Sequence, residues 1–201
     1  FFSPDGQKLA FYRMDQSRVT DYPQGNIPEL DGFNHPETQT CCAAAAPDKY
    51  PMTGETSHKV TVGVFDMTTG KTVYLKAGDP TDRYFTNIAW APDGKTVYMF
   101  ELNRDQNDCK LVGYDATTGE KTAELYRETD AKYVEPQHPI VFLPWDANTF
   151  VMQSQIDGYN HLYLCTLGKK GSRMAGNTVS LEVKQLTKGR WVVMEMVGFN
   201  A

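Results

Sequence analysis

Apolar and polar residues alternate along most of this chain with a period of two, and no window of about eleven residues or more carries a helical period. Alternation, with β-branched and aromatic content, predicts strands at Leu9–Met14, Lys59–Asp66, Lys71–Lys76, Phe85–Trp90, Thr96–Asn103 and Lys110–Asp115. Further strands are predicted at Lys121–Arg127, Pro139–Leu143, Phe150–Gln155, His161–Leu167, Val179–Leu186 and Val192–Phe199. The expected fold class is all-β.

Turn chemistry organises these strands. Ser3-Pro4-Asp5-Gly6 recurs as Ala91-Pro92-Asp93-Gly94, each copy between an aromatic strand end and a β-rich run. Pro presets φ at the second turn position, and Gly accepts the positive φ that closes the turn. Asp66-Met67-Thr68-Thr69-Gly70 and Asp115-Ala116-Thr117-Thr118-Gly119 predict hairpins between the last two strands of a unit. Asp157-Gly158-Tyr159-Asn160 predicts a comparable turn one strand earlier in a third unit. Repeated strand–turn–strand units point to a β-propeller, whose blades recur about every 40–50 residues.

Pro4 and Pro92 stand 88 positions apart, which fits either two blades of about 44 or one blade with an insertion of about 40. The insertion is preferred. Gln16–Ser57 holds five prolines and the run Cys41-Cys42-Ala43-Ala44-Ala45-Ala46, and it shows no clean alternation. The expected architecture is a partial β-propeller of about three four-stranded antiparallel blades with one long insertion. The blades are expected at 1–76 with an inserted arm at 16–57, at 85–127 and at 139–186, with residues 192–199 as the first strand of the next. Three blades do not close a ring, and both chain ends read as strand, so the chain is expected to be a piece of a longer polypeptide.

Composition narrows the function classes. Among 201 residues, 40% are hydrophobic and 22% charged, as in a soluble globular domain. A net charge of −5 with no basic stripe argues against a nucleic-acid partner, and no apolar run has the length of a membrane span. Of the four Cys, Cys41 and Cys42 are adjacent and poorly placed to bond each other, while Cys109 and Cys165 fall in strands and are expected to be buried thiols. With no CxxC pair, no metal site is expected, and no cofactor either, since both a P-loop and a dinucleotide fingerprint are missing.

Catalytic chemistry is likewise thin. There is no G-x-S-x-G elbow, and His35, His58, His138 and His161 are scattered without HExxH or H-x₃-H pairing. Each His is read as structural or solvated. Glu128, Asp130 and Glu135 surround Tyr133 in what reads as a loop between blades. That loop is either a solvated acidic segment or a surface that meets a cationic group.

Several motifs bear a resemblance to a known family. They are Phe2-SPDG-QKLAFYRMDQSRVTDYP, Tyr50–Phe65, Asp79-Pro80-Thr81-Asp82-Arg83-Tyr84-Phe85-Thr86-Asn87-Ile88 and Lys132-Tyr133-Val134-Glu135-Pro136-Gln137-His138-Pro139. Asp157-Gly158-Tyr159-Asn160-His161-Leu162-Tyr163 and Gln185-Leu186-Thr187-Lys188-Gly189-Arg190-Trp191 extend the series. In this order, across essentially the whole chain, they resemble the propeller domain of bacterial dipeptidyl peptidase IV, of the prolyl oligopeptidase-type serine peptidases.

The resemblance implies a parent with an eight-bladed propeller and an α/β-hydrolase domain, which removes dipeptides after Pro or Ala from free N-termini. It implies that the catalytic Ser, Asp and His lie beyond Ala201, and that two glutamates gripping the substrate amine precede Phe1. No catalytic residue is therefore expected here. The segment Tyr133-Val134-Glu135 matches a stretch facing the substrate cleft, which makes Tyr133 and Glu135 the candidate substrate-binding residues. Gln16–Met52 matches the family's extended arm, which implies homodimer contacts, although Asp31–Ala46 departs from the pattern. The family also implies a periplasmic or secreted location, with a peptide substrate reached through the hydrolase domain. The alternative is a stand-alone propeller module that binds a protein partner without peptidase activity.

Overall fold

The structure, a computed structural model, describes residues 1–22, 48–168 and 180–200. Cys41, Cys42 and His35 lie outside the described residues, as does most of the arm. No helix forms among the described residues. Met14–Lys59 is a compact unit of its own, and it contains the expected arm. Within it β2 (Asp21–Tyr22) pairs antiparallel with β3 (Asp48–Lys49), and the Tyr50 N–H donates to the Thr20 carbonyl at 3.3 Å.

The other unit carries three antiparallel sheets. In the first, β1 (Lys8–Asp15), β4 (Lys59–Asp66) and β5 (Lys71–Tyr74) lie in that order, and Phe2 bridges Leu9 at the free edge of β1. The second is a meander of β6 (Arg83–Trp90), β7 (Thr96–Asn103), β8 (Asp108–Asp115) and β9 (Lys121–Thr129). The third repeats that meander with β10 (Val141–Leu143), β11 (Asp146–Ser154), β12 (His161–Leu167) and β13 (Leu181–Gln185). The fold is all-β, a partial β-propeller.

Strand periodicity explains why the sheets stack. Alternate residues of a strand face opposite sides, so β7 feeds two cores. Val97 and Met99 join Ala10, Val62, Val64, Ile88 and Tyr114 in the seam between the first and second sheets. Tyr98, Phe100 and Leu102 join Leu111, Phe150, Met152 and Cys165 in the seam between the second and third. Each Val, Leu, Ile, Phe or Met side chain among them contributes about 1.5–3 kcal/mol when fully buried. Cys109 and Cys165 are buried free thiols, and burial pushes both up to about 12.

The turns follow their chemistry. Gly6 and Gly94 have φ of 69° and 66°, and their N–H groups donate back to the Ser3 and Ala91 carbonyls at 2.8 and 2.9 Å. The two Pro-Asp-Gly turns abut: Lys8 Nζ donates to the Gly94 carbonyl at 3.2 Å, and Trp90 Nε1 donates to the Phe1 carbonyl at 3.0 Å. In the two hairpins Asp66 and Asp115 each accept from the next two threonines, which holds both carboxyls below the ordinary carboxylate range. Gly119 also sits against the first sheet, its carbonyl accepting from the Lys76 N–H at 2.8 Å.

Polar groups buried in the seams are mostly paired. The Glu101 carboxylate accepts from Arg83 Nη2 and the Tyr114 hydroxyl, while Arg83 Nη1 reaches the Ala77 carbonyl at 2.7 Å. Glu128, expected in a loop, instead lies within β9, one residue before its end, and is 8% exposed. It accepts from Ser154 Oγ at 2.6 Å and the Tyr126 hydroxyl at 3.2 Å, because a carboxylate at a sheet seam has to be hydrogen-bonded. The Tyr163 hydroxyl is the exception among the described residues: buried and without a partner. Burial, together with the negative charges of Asp157 and Glu128, pushes it up to about 12.

Some predicted strands shrink. Pro139–Leu143 pairs only over Val141–Leu143, since Pro cannot donate to a ladder. Lys71–Lys76 ends at Tyr74, where Lys76 turns to bond Gly119. Val192–Phe199, a mostly apolar run, forms no strand: it belongs to no ladder, and its main chain is held instead by the Val193 N–H donating to the Asn160 carbonyl at 2.8 Å.

The glycine geometry predicts unequal costs. Gly70→Ala meets open space and pays only for φ of 69°, about 1 kcal/mol. Gly119→Ala adds to φ of 73° a Cβ 2.3 Å from the Tyr74 carbonyl oxygen. It is expected to cost about 3 kcal/mol, lowering Tm roughly three times as far in parallel thermal melts. Tyr163→Phe removes a buried hydroxyl that has no partner and is expected to leave Tm unchanged or raise it by a few degrees, read by the same melts.

Candidate peptide-facing site

After β9 the chain runs as a loop to β10, and its placement follows from one buried residue. Val134 is 4% exposed, packed in the seam between the second and third sheets, and its N–H donates to the Gln106 carbonyl at 2.6 Å. Its neighbours Tyr133 and Glu135 are exposed as a result, Tyr133 by 58%. A second tether comes from β6, where the register shifts between Thr86 and Ala89 and Asn87 takes φ of 56°. Asn is among the residues that tolerate this left-handed backbone, and Asn87 Nδ2 donates to the Pro136 carbonyl at 2.6 Å.

Tyr133 and Glu135 line the same pocket, about 280 Å³ in volume. Gln137, Tyr159, Val193 and Met194 form other parts of its wall. Glu135 is the one formally charged side chain among the described lining residues, so the pocket has one carboxylate on its wall beside two phenol rings. Such a surface suits a cationic or peptide-like group. Asp130 lies in the same loop but turns to its own backbone, accepting from the Lys132 N–H at 2.7 Å. A second hollow of about 290 Å³ lies beside His138, Val141, Val151 and Glu195.

A hydroxyl–imidazole contact is present, yet its setting is structural. His161 Nδ1 lies 3.0 Å from Thr187 Oγ1, but the ring is fully buried and its Nε2 bonds the Gly189 carbonyl at 3.0 Å. Thr187 Oγ1 also accepts from the Leu162 N–H at 3.0 Å. With both ring nitrogens committed and no access, the pair cannot serve as nucleophile and base. Among the described residues no cluster of three His, Cys, Asp or Glu could hold a metal, and no helix is long and apolar enough to cross a membrane.

Sequence reasoning missed Asn87 and Asn160. Asn160 is 5% exposed, and its Nδ2 donates both to Gln153 Oε1 at 2.8 Å and to the Val193 carbonyl at 2.7 Å. Neither asparagine belongs to a chemical motif. The available signal was an Asn, a poor strand former, inside a predicted strand at Asn87, and an Asn closing a turn at Asn160.

Known proteins resemble the chain along its whole length. The family model described as the dipeptidyl peptidase IV N-terminal region matches residues 1–201. A crystal structure of a candidate dipeptidyl aminopeptidase IV from Bacteroides ovatus is 51% identical with a TM-score of 0.83, covering 100% of this chain and 28% of its own. Porphyromonas gingivalis dipeptidyl peptidase 4 shares the fold at 23% identity and a TM-score of 0.68, over 100% of this chain and 25% of its own. A candidate dipeptidyl-aminopeptidase B from Phaeosphaeria nodorum is 28% identical over 97% of this chain and 22% of its own length. The inactive dipeptidyl peptidase 10 of Rattus norvegicus is 25% identical over 100% of this chain and 24% of its own. The chain thus spans about a quarter of the length of these relatives. On the match across all of its residues, the chain belongs to the family of dipeptidyl peptidase IV N-terminal regions.

Proposed function

We propose that this chain is the non-catalytic propeller portion of a dipeptidyl peptidase IV-like serine exopeptidase that removes Xaa-Pro and Xaa-Ala dipeptides from peptide N-termini. The family match over residues 1–201 carries this reading. The nucleophile, its base and the orienting carboxylate belong, on this view, to a hydrolase domain outside the chain. The propeller restricts access to that domain's cleft and so favours short, unstructured peptides.

Tyr133 and Glu135 are the proposed peptide-facing residues. Their support is geometric: they flank the buried Val134 and open onto one pocket. Tyr133 supplies an aromatic wall, and Glu135 a charge complementary to an ammonium group. The unit Met14–Lys59 is the proposed dimer contact, and the compartment is periplasmic or secreted, both by likeness to the family.

A second reading has one observation in its favour, the likeness to a relative named as inactive. In it the propeller binds a protein partner, and no peptide bond is cut. Hydrolysis of Ala-Pro-p-nitroanilide by the full-length protein that carries this chain decides between the two. The chain by itself is expected to show no hydrolysis of that substrate, and turnover by purified chain would overturn the non-catalytic assignment. Tyr133→Ala in the full-length protein is expected to raise KM about fivefold, equivalent to about 1 kcal/mol of binding, with a smaller effect on kcat. An unchanged KM removes Tyr133 from the site.

A further inference from the structure

Three segments that carry no catalytic motif converge on one strip of backbone. Val192, Val193 and Met194 belong to no ladder, yet they form one wall of the pocket that Tyr133 and Glu135 line. His138 Nε2, from the segment after Tyr133, bonds the Met194 carbonyl at 3.0 Å. Asn160 takes Val193 from both sides: its carbonyl accepts from the Val193 N–H at 2.8 Å, and its Nδ2 donates to the Val193 carbonyl at 2.7 Å. His161 holds the approach to this strip through Gly189, and the Trp191 ring stands edge-on to the imidazole at 4.9 Å between centroids.

Asn160 is the hub of this arrangement. Both hydrogens of its Nδ2 are used, one on Val193 and one on Gln153 Oε1 at 2.8 Å, which ties the strip to β11. Regular strands are held by their ladders, but Val192–Met194 has none, so its place in the pocket wall is set by one main-chain bond to Asn160 and by the side-chain bonds of Asn160 and His138. We propose that Asn160, whose own side chain also lines the peptide-facing pocket, is a positioning residue there: through Val193 it sets the strip of main chain that shares the pocket with Tyr133 and Glu135, and with it the affinity for peptide. This rests on the reading of that pocket as peptide-facing.

The test uses the full-length protein that carries this chain, with Ala-Pro-p-nitroanilide as the probe. Asn160→Asp keeps the size but turns a donor into a carboxylate facing the Val193 carbonyl. Hydrogen exchange in peptides spanning residues 190–196 is expected to quicken roughly tenfold. KM is expected to rise at least about threefold with kcat within about twofold. Val62→Ala, which loosens the opposite seam, is the stability control and is expected to move neither readout. Should Asn160→Asp not fold, Asn160→Ser, neutral and too short to span both acceptors, takes its place. Unchanged exchange overturns the inference, as does faster exchange with an unaltered KM in a protein whose KM responds to Tyr133→Ala. If neither Asn160→Asp nor Tyr133→Ala moves KM, or if the unaltered protein hydrolyses nothing, the reading of the pocket falls and this inference with it.

Discussion

A strand has two faces, and in the second sheet both are buried. Val97 and Met99 enter one seam while Tyr98, Phe100 and Leu102 enter the other, and β8 divides in the same way between Tyr114 and Leu111. This double burial ties the three sheets into one structure: neither neighbouring sheet could bury its own apolar face without the middle one. It also dictates the polar chemistry of the seams. A carboxylate caught between two sheets must find donors, and Glu101 finds Arg83 and Tyr114, while Glu128 finds Ser154 and Tyr126. Apart from Tyr126–Glu128, these pairs span sequence gaps of 13 to 26 residues that no local motif reveals.

The period-two pattern and the turns made most of the fold legible. The strands Lys59–Asp66, Thr96–Asn103 and His161–Leu167 occupy the ranges their alternation predicts, and the Asp-x-Thr-Thr-Gly hairpins close through the aspartates that define them. What the pattern could not convey was pairing. Val192–Phe199 has the apolar content of a strand, but apolar content describes burial, and a ladder also needs a paired neighbour. Glu128 shows the converse failure, because charge suggested a loop where β9 simply continues past Arg127 to Thr129, with Glu128 in the seam.

The candidate site was legible only as far as chemistry is written in residue types. An aromatic ring beside a carboxylate at Tyr133 and Glu135 suggested a recognition surface, and both side chains do open onto one pocket. Their outward direction is enforced by Val134, whose burial is a consequence of the seam rather than of the loop. The strip that shares the pocket was not legible at all, for it is main chain held by Asn160 and His138, and hydrogen bonds to a carbonyl leave no trace in composition.

Motifs that resist a chemical reading can still have a physical one. The segments around Tyr133, Asn160 and Trp191 contain no nucleophile, metal set or phosphate loop, and in the fold they turn out to be each other's partners. Gln185 reaches Asp157 at 2.5 Å, Thr187 caps the start of β12, and Trp191 closes over His161. Gly189 fits this role because its φ of 146° brings the indole so near that a Cβ would stand 2.3 Å from Trp191 Nε1. A strip of chain without a ladder is thereby held at a few points by hydrogen bonds and a ring contact, while Val192 and Met194 stay exposed. That combination, a hydrogen-bonded backbone under accessible side chains, suits a recognition surface, since bonds already formed need not be ordered again when a ligand arrives.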